Sequence, residues 1–214
     1  MALLIQKFSF NGFQENTYIV QDGYNCVIID PGCYEKHEQD ELMNYITLNN
    51  LNPAALLLTH AHIDHVLGCS FVLSKFEIDF YMHKEDTNTL NAVSDYAHVY
   101  GYPGYSAPSA PNKVLKHGDV LSFGDIQLEV KFTPGHSAGH VVFYNEEAGF
   151  VINGDVLFAG SFGRTDLPGG DIEILKGSIH NIMFKLPEET VVYCGHGGET
   201  TIGQEKRTNH ILQF

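Results

Sequence analysis

Apolar positions recur along the chain in two rhythms. Short alternating or continuous runs mark strands over Leu3 to Phe10, Asn16 to Gln21 and Cys26 to Asp30, separated by the turn signals Asn11-Gly12 and Asp22-Gly23. They predict an opening β-meander, and the strand pattern extends back to Met1. From Glu35 to Asn50 the rhythm changes: Leu42, Tyr45, Ile46 and Asn49 share one helical face, and Pro53 closes the helix. Ala55 to Leu58 is a short apolar run of the kind buried on both faces of a sheet. A helix over 66–76, a strand over 78–82 and a helix over 85–96 follow, then an irregular stretch from Gly101 to Pro111 broken by prolines.

The second half repeats the scheme. Strands are expected near Val120 to Phe123, Ile126 to Phe132, His140 to Asn145 and Phe150 to Ile152. Asp171 then reads as the N-cap of a helix whose Ile172, Leu175, Ile179, Ile182 and Leu186 recur at intervals of three and four. A strand at Val191 to Cys194 and a short C-terminal helix complete the pattern. Alternation in two similar halves implies an α/β fold of two packed sheets with helices outside. With no linker or low-complexity segment, a single domain over 1–214 is expected.

Composition narrows the choices. The 214 residues are 43% hydrophobic, enough for a substantial core, and carry a formal charge of −14, which repels nucleic-acid backbones and anionic lipid. No nucleic-acid partner is expected. No leader-like pattern and no apolar run of spanning length is visible, so the expectation is a cytoplasmic protein without a membrane segment. Cys26, Cys33, Cys69 and Cys194 lack Cys-x-x-Cys spacing and read as buried small hydrophobes. The 12 histidines are the oddity, and their placement carries the chemistry.

The string Thr59-His60-Ala61-His62-Ile63-Asp64-His65 follows a buried strand directly. A His-x-His-x-Asp-His string arises by chance in on the order of one in five hundred chains of this composition. Three imidazoles and a carboxylate so close together suit a divalent metal and little else in a folded interior. Three further candidates, His136, Asp155 and His196, each lie just past an apolar run and beside a glycine, whose missing side chain lets the backbone turn into a site. Four strand ends would then converge on one edge.

In order and spacing these residues resemble the metallo-β-lactamase superfamily, over nearly the whole chain. The resemblance implies an αββα sandwich in which His60, His62 and His136 hold one metal, Asp64, His65 and His196 hold a second, and Asp155 bridges the two. It also implies that Asp30, in Ile29-Asp30-Pro31-Gly32, supports the site from behind. Within the superfamily, an aspartate at 155 and the segment Gly160 to Asp166 are similar to short glyoxalase II-like hydrolases, and the segment is also shared by persulfide dioxygenases. Long glyoxalase II enzymes carry an additional C-terminal domain, and from the short stretch after His196 no such domain is expected. Asn209-His210 stands where many relatives have Asn-Pro.

The implied chemistry is hydrolysis of a small acyl thioester by a metal-bound hydroxide, with Asp64 and Asp155 as the catalytic carboxylates and Asp155 taking the proton shed by the attacking oxygen. Two divalent ions are expected, zinc first, with iron or manganese as alternatives. The rival reading is a mononuclear iron persulfide dioxygenase using His60 or a neighbour, His136 and Asp155. A superfamily nuclease conflicts with the charge and with the lack of a basic stripe. Of the other histidines, His37, His83, His98, His117, His180 and His210 are expected to be surface or hydrogen-bonded groups, and His140 to stand behind the site. Arg164 and Asp166 are expected to shape their loop, and Tyr96, Tyr100, Tyr102 and Tyr105 to pack or to line a lid.

Overall fold

The computed structural model describes residues 3–214, so the part of the first strand read at Met1 and Ala2 lies outside the described residues. The first half runs β1 (Leu4–Phe10), β2 (Glu15–Gln21), β3 (Asn25–Ile29), α1 (Lys36–Leu48), β4 (Asn52–Leu57), α2 (Ile63–Val66), α3 (Cys69–Lys75), β5 (Asp79–His83), α4 (Thr87–Tyr96) and β6 (Lys113–Leu115). The second runs β7 (Val120–Phe123), β8 (Ile126–Phe132), β9 (Val141–Asn145), β10 (Phe150–Gly154), β11 (Leu157–Phe158), β12 (Ser161–Phe162), α5 (Ile172–Asn181), β13 (Val191–Cys194), β14 (Thr200–Thr201) and α6 (Ile202–Thr208).

Strands β1 to β6 form one sheet in sequence order, antiparallel through the meander and parallel from β3 onward. The second sheet has the order β14-β13-β10-β9-β8-β7, with β10 and β13 parallel, and β11 and β12 form a small separate hairpin. The two-residue period of the strands sorts the core into three layers. Val27, Ile29, Ala55 and Leu57 meet Leu128, Val130, Val141, Phe143 and Ile152 between the sheets. Cys26, Ile28, Leu56 and Leu58 face outward against Leu42, Ile46, Val72 and Leu90 of the helices. On the far side Val142, Tyr144, Val151 and Val192 pack on Leu175, Ile179 and Ile202. Helix, sheet, sheet and helix layers make the αββα sandwich. All four cysteines are buried and free.

Three local departures have physical causes. The helix expected over 66–76 is broken into α2 and α3, because the Gly68 N–H turns away to donate to Pro31 O at 2.8 Å. Helix α1 stops before Pro53: Asn50 takes a left-handed φ of 52° and Leu51 N–H donates back to Ile46 O, closing the helix two residues ahead of the proline. Strand β6 leaves no apolar pattern because Lys113 and Val114 are exposed and only Leu115 is buried. As read from sequence, Asp171 caps α5, accepting from Glu173 N and Ile174 N at 2.9 and 3.0 Å.

The loops after β4, β8, β10 and β13 leave the two sheets at one edge and are tied together there by backbone bonds. Val141 N donates to Thr59 O, Gly195 N to Gly154 O, and Asn16 N to Gly195 O, at 2.9, 2.7 and 2.7 Å.

Candidate metal centre

The seven histidine and aspartate candidates meet at this edge, six of them in two groups of three with Asp155 between. His60, His62 and His136 form one, with His62 Nδ1 2.8 Å and His60 Nε2 3.2 Å from His136 Nε2. Asp64, His65 and His196 form the other: Asp64 Oδ2 stands 3.1 Å from His196 Nε2 and 3.6 Å from His65 Nε2. The Asp155 carboxylate lies between them, Oδ2 at 3.5 Å from His136 Nε2 and 3.4 Å from His196 Nε2, and Oδ1 at 3.6 Å from His65 Nε2. Its position depends on a residue with no side chain, because a Cβ at Gly195 would lie 2.1 Å from Asp155 Oδ1.

The imidazoles are oriented from behind. His136 Nδ1 donates to Arg164 O at 2.8 Å, His196 Nδ1 to Phe13 O at 3.2 Å and His65 Nδ1 to Asp30 Oδ2 at 3.2 Å. Thr59 Oγ1 donates to Asp30 Oδ2 at 2.6 Å and so accepts from His60 Nδ1 at 3.0 Å. In all four rings Nδ1 is engaged from behind and Nε2 faces inward. Asp30 is placed as the resemblance implied, held in a left-handed conformation at φ 51° and also accepting Thr59 N–H at 2.7 Å. His140 stands behind the site as expected, its Nε2 accepting Asp155 N–H at 3.1 Å while the ring stacks on His60 at 4.7 Å.

The two groups differ electrostatically. Burial, reinforced by neighbouring imidazoles, holds His60 well below the ordinary histidine range and His62 down to about 3. These rings are neutral ligands in waiting. At His65 and His196 burial also opposes charge, but Asp64 and Asp155 outweigh it, pushing His65 well up and His196 up to about 10. Burial raises Asp64 and Asp155 while His65 and His196 lower them, and the net effect on both is downward. A pocket that gathers protons on two histidines is a pocket that favours a cation.

The donor set fits divalent metals. His65 Nε2 and Asp155 Oδ1 are buried, face one another across 3.6 Å and have no hydrogen-bond partner among the described residues, an arrangement that is costly unless a cation occupies the gap. Imidazole nitrogen and carboxylate oxygen, with no thiolate, suit zinc, iron or manganese.

Two buried carboxylates escaped the sequence reading. Glu15 is fully buried, its Oε1 3.8 Å from His65 Nδ1 and its Oε2 accepting from Thr17 Oγ1 at 2.9 Å. Asp86, just ahead of α4, is likewise inaccessible and bonds to both histidine loops. Each lies in a locally polar stretch, so no local signal marks it. The rim is aromatic. Tyr102 and Tyr34 use their hydroxyls to accept Gly12 N–H and Gly104 N–H, both at 2.9 Å, and hold the irregular segment down, whereas Tyr100 is exposed and leans on Phe13. Arg164 and Asp166 grip one another in a fork of two 2.7 Å bonds, which fixes the loop whose Arg164 carbonyl orients His136.

The family model of the metallo-beta-lactamase superfamily matches residues 10–196. A probable metallo-hydrolase, YqgX of Bacillus subtilis (strain 168), is 41% identical over 93% of this chain and 92% of its own length. Hydroxyacylglutathione hydrolase GloC of Haemophilus influenzae is 34% identical over 97% of each chain. Among solved structures, BLEG-1 B3 metallo-beta-lactamase superposes with a TM-score of 0.88 at 36% identity, covering 99% of this chain and 100% of that one. TTHA1623 in a di-iron-bound form gives 0.85 at 38% identity, covering 96% and 98%.

Proposed function

This chain belongs to the metallo-beta-lactamase superfamily of metal-dependent hydrolases, and from that premise we propose that it cleaves small acyl thioesters with two metal ions. His60, His62 and His136 would hold one ion and Asp64, His65 and His196 the other, with Asp155 shared. The observation that carries this is the Asp155 carboxylate within 3.4 to 3.6 Å of His136 of the first group and of His65 and His196 of the second. Zinc is the first candidate, and iron is the second because TTHA1623 holds a di-iron centre. The thioester reading rests on the GloC relative, at 34% identity. The chain is taken to act as one domain.

Ions bound there supply an acidified water and a polarised carbonyl. The protein's own part is positional and protic. Arg164 O, Phe13 O, Asp30 and Thr59 keep four imidazoles in one orientation, so no side chain has to reorganise during the reaction. Asp155, the carboxylate that lies between the two groups, accepts the proton that the attacking water sheds. Asp64 balances charge beside His196. A thiolate leaves without a strong general acid, so the arrangement needs none, and the attacking water takes the place of a serine or cysteine nucleophile.

The test is a panel of acyl thioesters including S-lactoylglutathione, a chromogenic β-lactam and a glutathione persulfide with oxygen uptake, run on metal-loaded wild type, Asp155→Ala and His98→Ala. Thioester turnover should fall at least about a hundredfold in Asp155→Ala, with an unchanged circular dichroism spectrum, and hold in His98→Ala, an exposed histidine. Oxygen uptake or β-lactam cleavage without thioester cleavage refutes the thioester assignment.

A further inference from the structure

The Asp86 carboxylate joins the loop that carries His60 and His62 to the loop that carries His136. Its Oδ2 accepts Ala61 N–H at 2.9 Å and the Ser137 hydroxyl at 2.9 Å, and its Oδ1 accepts Gly139 N–H at 2.6 Å. Ala61 is flanked by His60 and His62, and Ser137 follows His136. One fully buried side chain therefore spans two loops from different sheets, at the point where three imidazole nitrogens are crowded together. The approach is close enough to exclude a side chain at 139: a Cβ there would lie 2.5 Å from Asp86 N and 2.8 Å from both Asp86 Cβ and Cγ. In the second group Asp64 and His65 lie three and four residues beyond Ala61, with His65 held by Asp30, and the loop of His196 is held by Phe13 and Asn16.

We propose that Asp86 is a positioning residue that keeps the His60, His62 and His136 subsite assembled before a metal arrives, and does so for that subsite alone. This rests on the metal-binding reading above. Three donors converge on two oxygens, and an amide in place of the carboxylate accepts on one side only. Asp86→Asn therefore leaves either Ala61 N–H or Gly139 N–H unpaired in a buried place and lets the loops separate. Loss of such a supporting bond lowers metal affinity by about ten- to a hundredfold.

The experiment separates the subsites by variant background and uses zinc ions alone as the probe, in chelator competition on the metal-free protein. In a His196→Ala background, which leaves the three-histidine subsite, Asp86→Asn should weaken zinc about ten- to a hundredfold. In a His62→Ala background, which leaves the other subsite, it should change affinity by less than about threefold. Ser137→Ala, which removes one of the three bonds and leaves the carboxylate in place, should give a smaller loss in the first background only, and it serves if Asp86→Asn does not fold. Equal weakening in both backgrounds, or none in the first, overturns the proposal, since a general loss of stability does not distinguish the subsites. Two tight zinc sites in wild type without thioester cleavage would defeat the substrate assignment and leave the role of Asp86 intact.

Discussion

The opposite protonation of the two ligand groups predicts that they take up metal with different pH dependence. His196 is raised to about 10 by Asp155 and Asp64 against the cost of burial, so in the metal-free protein it carries a proton at neutral pH, and His65 is pushed the same way. A metal must displace that proton. The penalty for one site is the ratio of proton-bound to free ligand, ten raised to the difference between pKa and pH, or about a thousandfold at pH 7 for His196 alone. It falls about tenfold for each unit of rising pH until the pKa is reached, and His65 steepens it. At the three-histidine group the sign differs. His62 lies at about 3 and His60 is held well below its ordinary range, so neither has a proton to displace at neutral pH. Zinc affinity at the Asp64, His65 and His196 group should climb at least about a hundredfold between pH 6 and 8, more steeply than at the three-histidine group. Chelator competition at three pH values measures both slopes, and calorimetry in buffers of different ionisation enthalpy counts the protons released. Equal slopes at the two groups, or a steeper slope at the three-histidine group, would refute the electrostatic argument.

Two further expectations concern the scaffold. Asp171→Ala removes the side chain that accepts Glu173 and Ile174 N–H and should cost about 1 kcal/mol, seen as a fall in Tm of roughly 2–4 °C with the metal-loaded rate unchanged. Phe143→Ala, at a fully buried position between the sheets, should cost about 3–5 kcal/mol in urea unfolding; a loss below about 1 kcal/mol would mean the two sheets close over the gap.

Legibility in the sequence followed the range of the interaction. The string from His60 to His65 and the apolar runs ahead of His136, Asp155 and His196 are local, and the strand ends they marked are the ones that converge. The Asp171 cap is local too. Asp86 was invisible because its burial is decided by Gly139, 53 residues away, and Glu15 because its partner His65 lies in another strand-end loop. The break at Gly68 is set by Pro31 O, which helical periodicity does not register. Asn209-His210 is explained only in three dimensions. Asn209 Nδ2 donates to Ser161 O at 2.6 Å, and His210 N–H donates to Gly160 O at 3.2 Å, a bond a proline at that position could not make. Conversely, no helix among the described residues is long and apolar enough to cross a membrane, in line with the short apolar runs.

His196 comes from near the end of the chain, yet what fixes it comes from near the beginning. Phe13 O accepts from its ring, Asn16 Nδ2 donates to Cys194 O and Gly197 O on either side of it, and Tyr18 OH donates to Cys194 O at 2.6 Å. The hairpin of β1 and β2 is thus the floor beneath the last ligand. Native proteins open in cooperative pieces rather than all at once, and a sheet-edge hairpin is a natural first piece to open. Here, fraying of β1 and β2 would release a proposed metal ligand more than 170 residues later, so amide exchange in the two strands should slow when zinc is added.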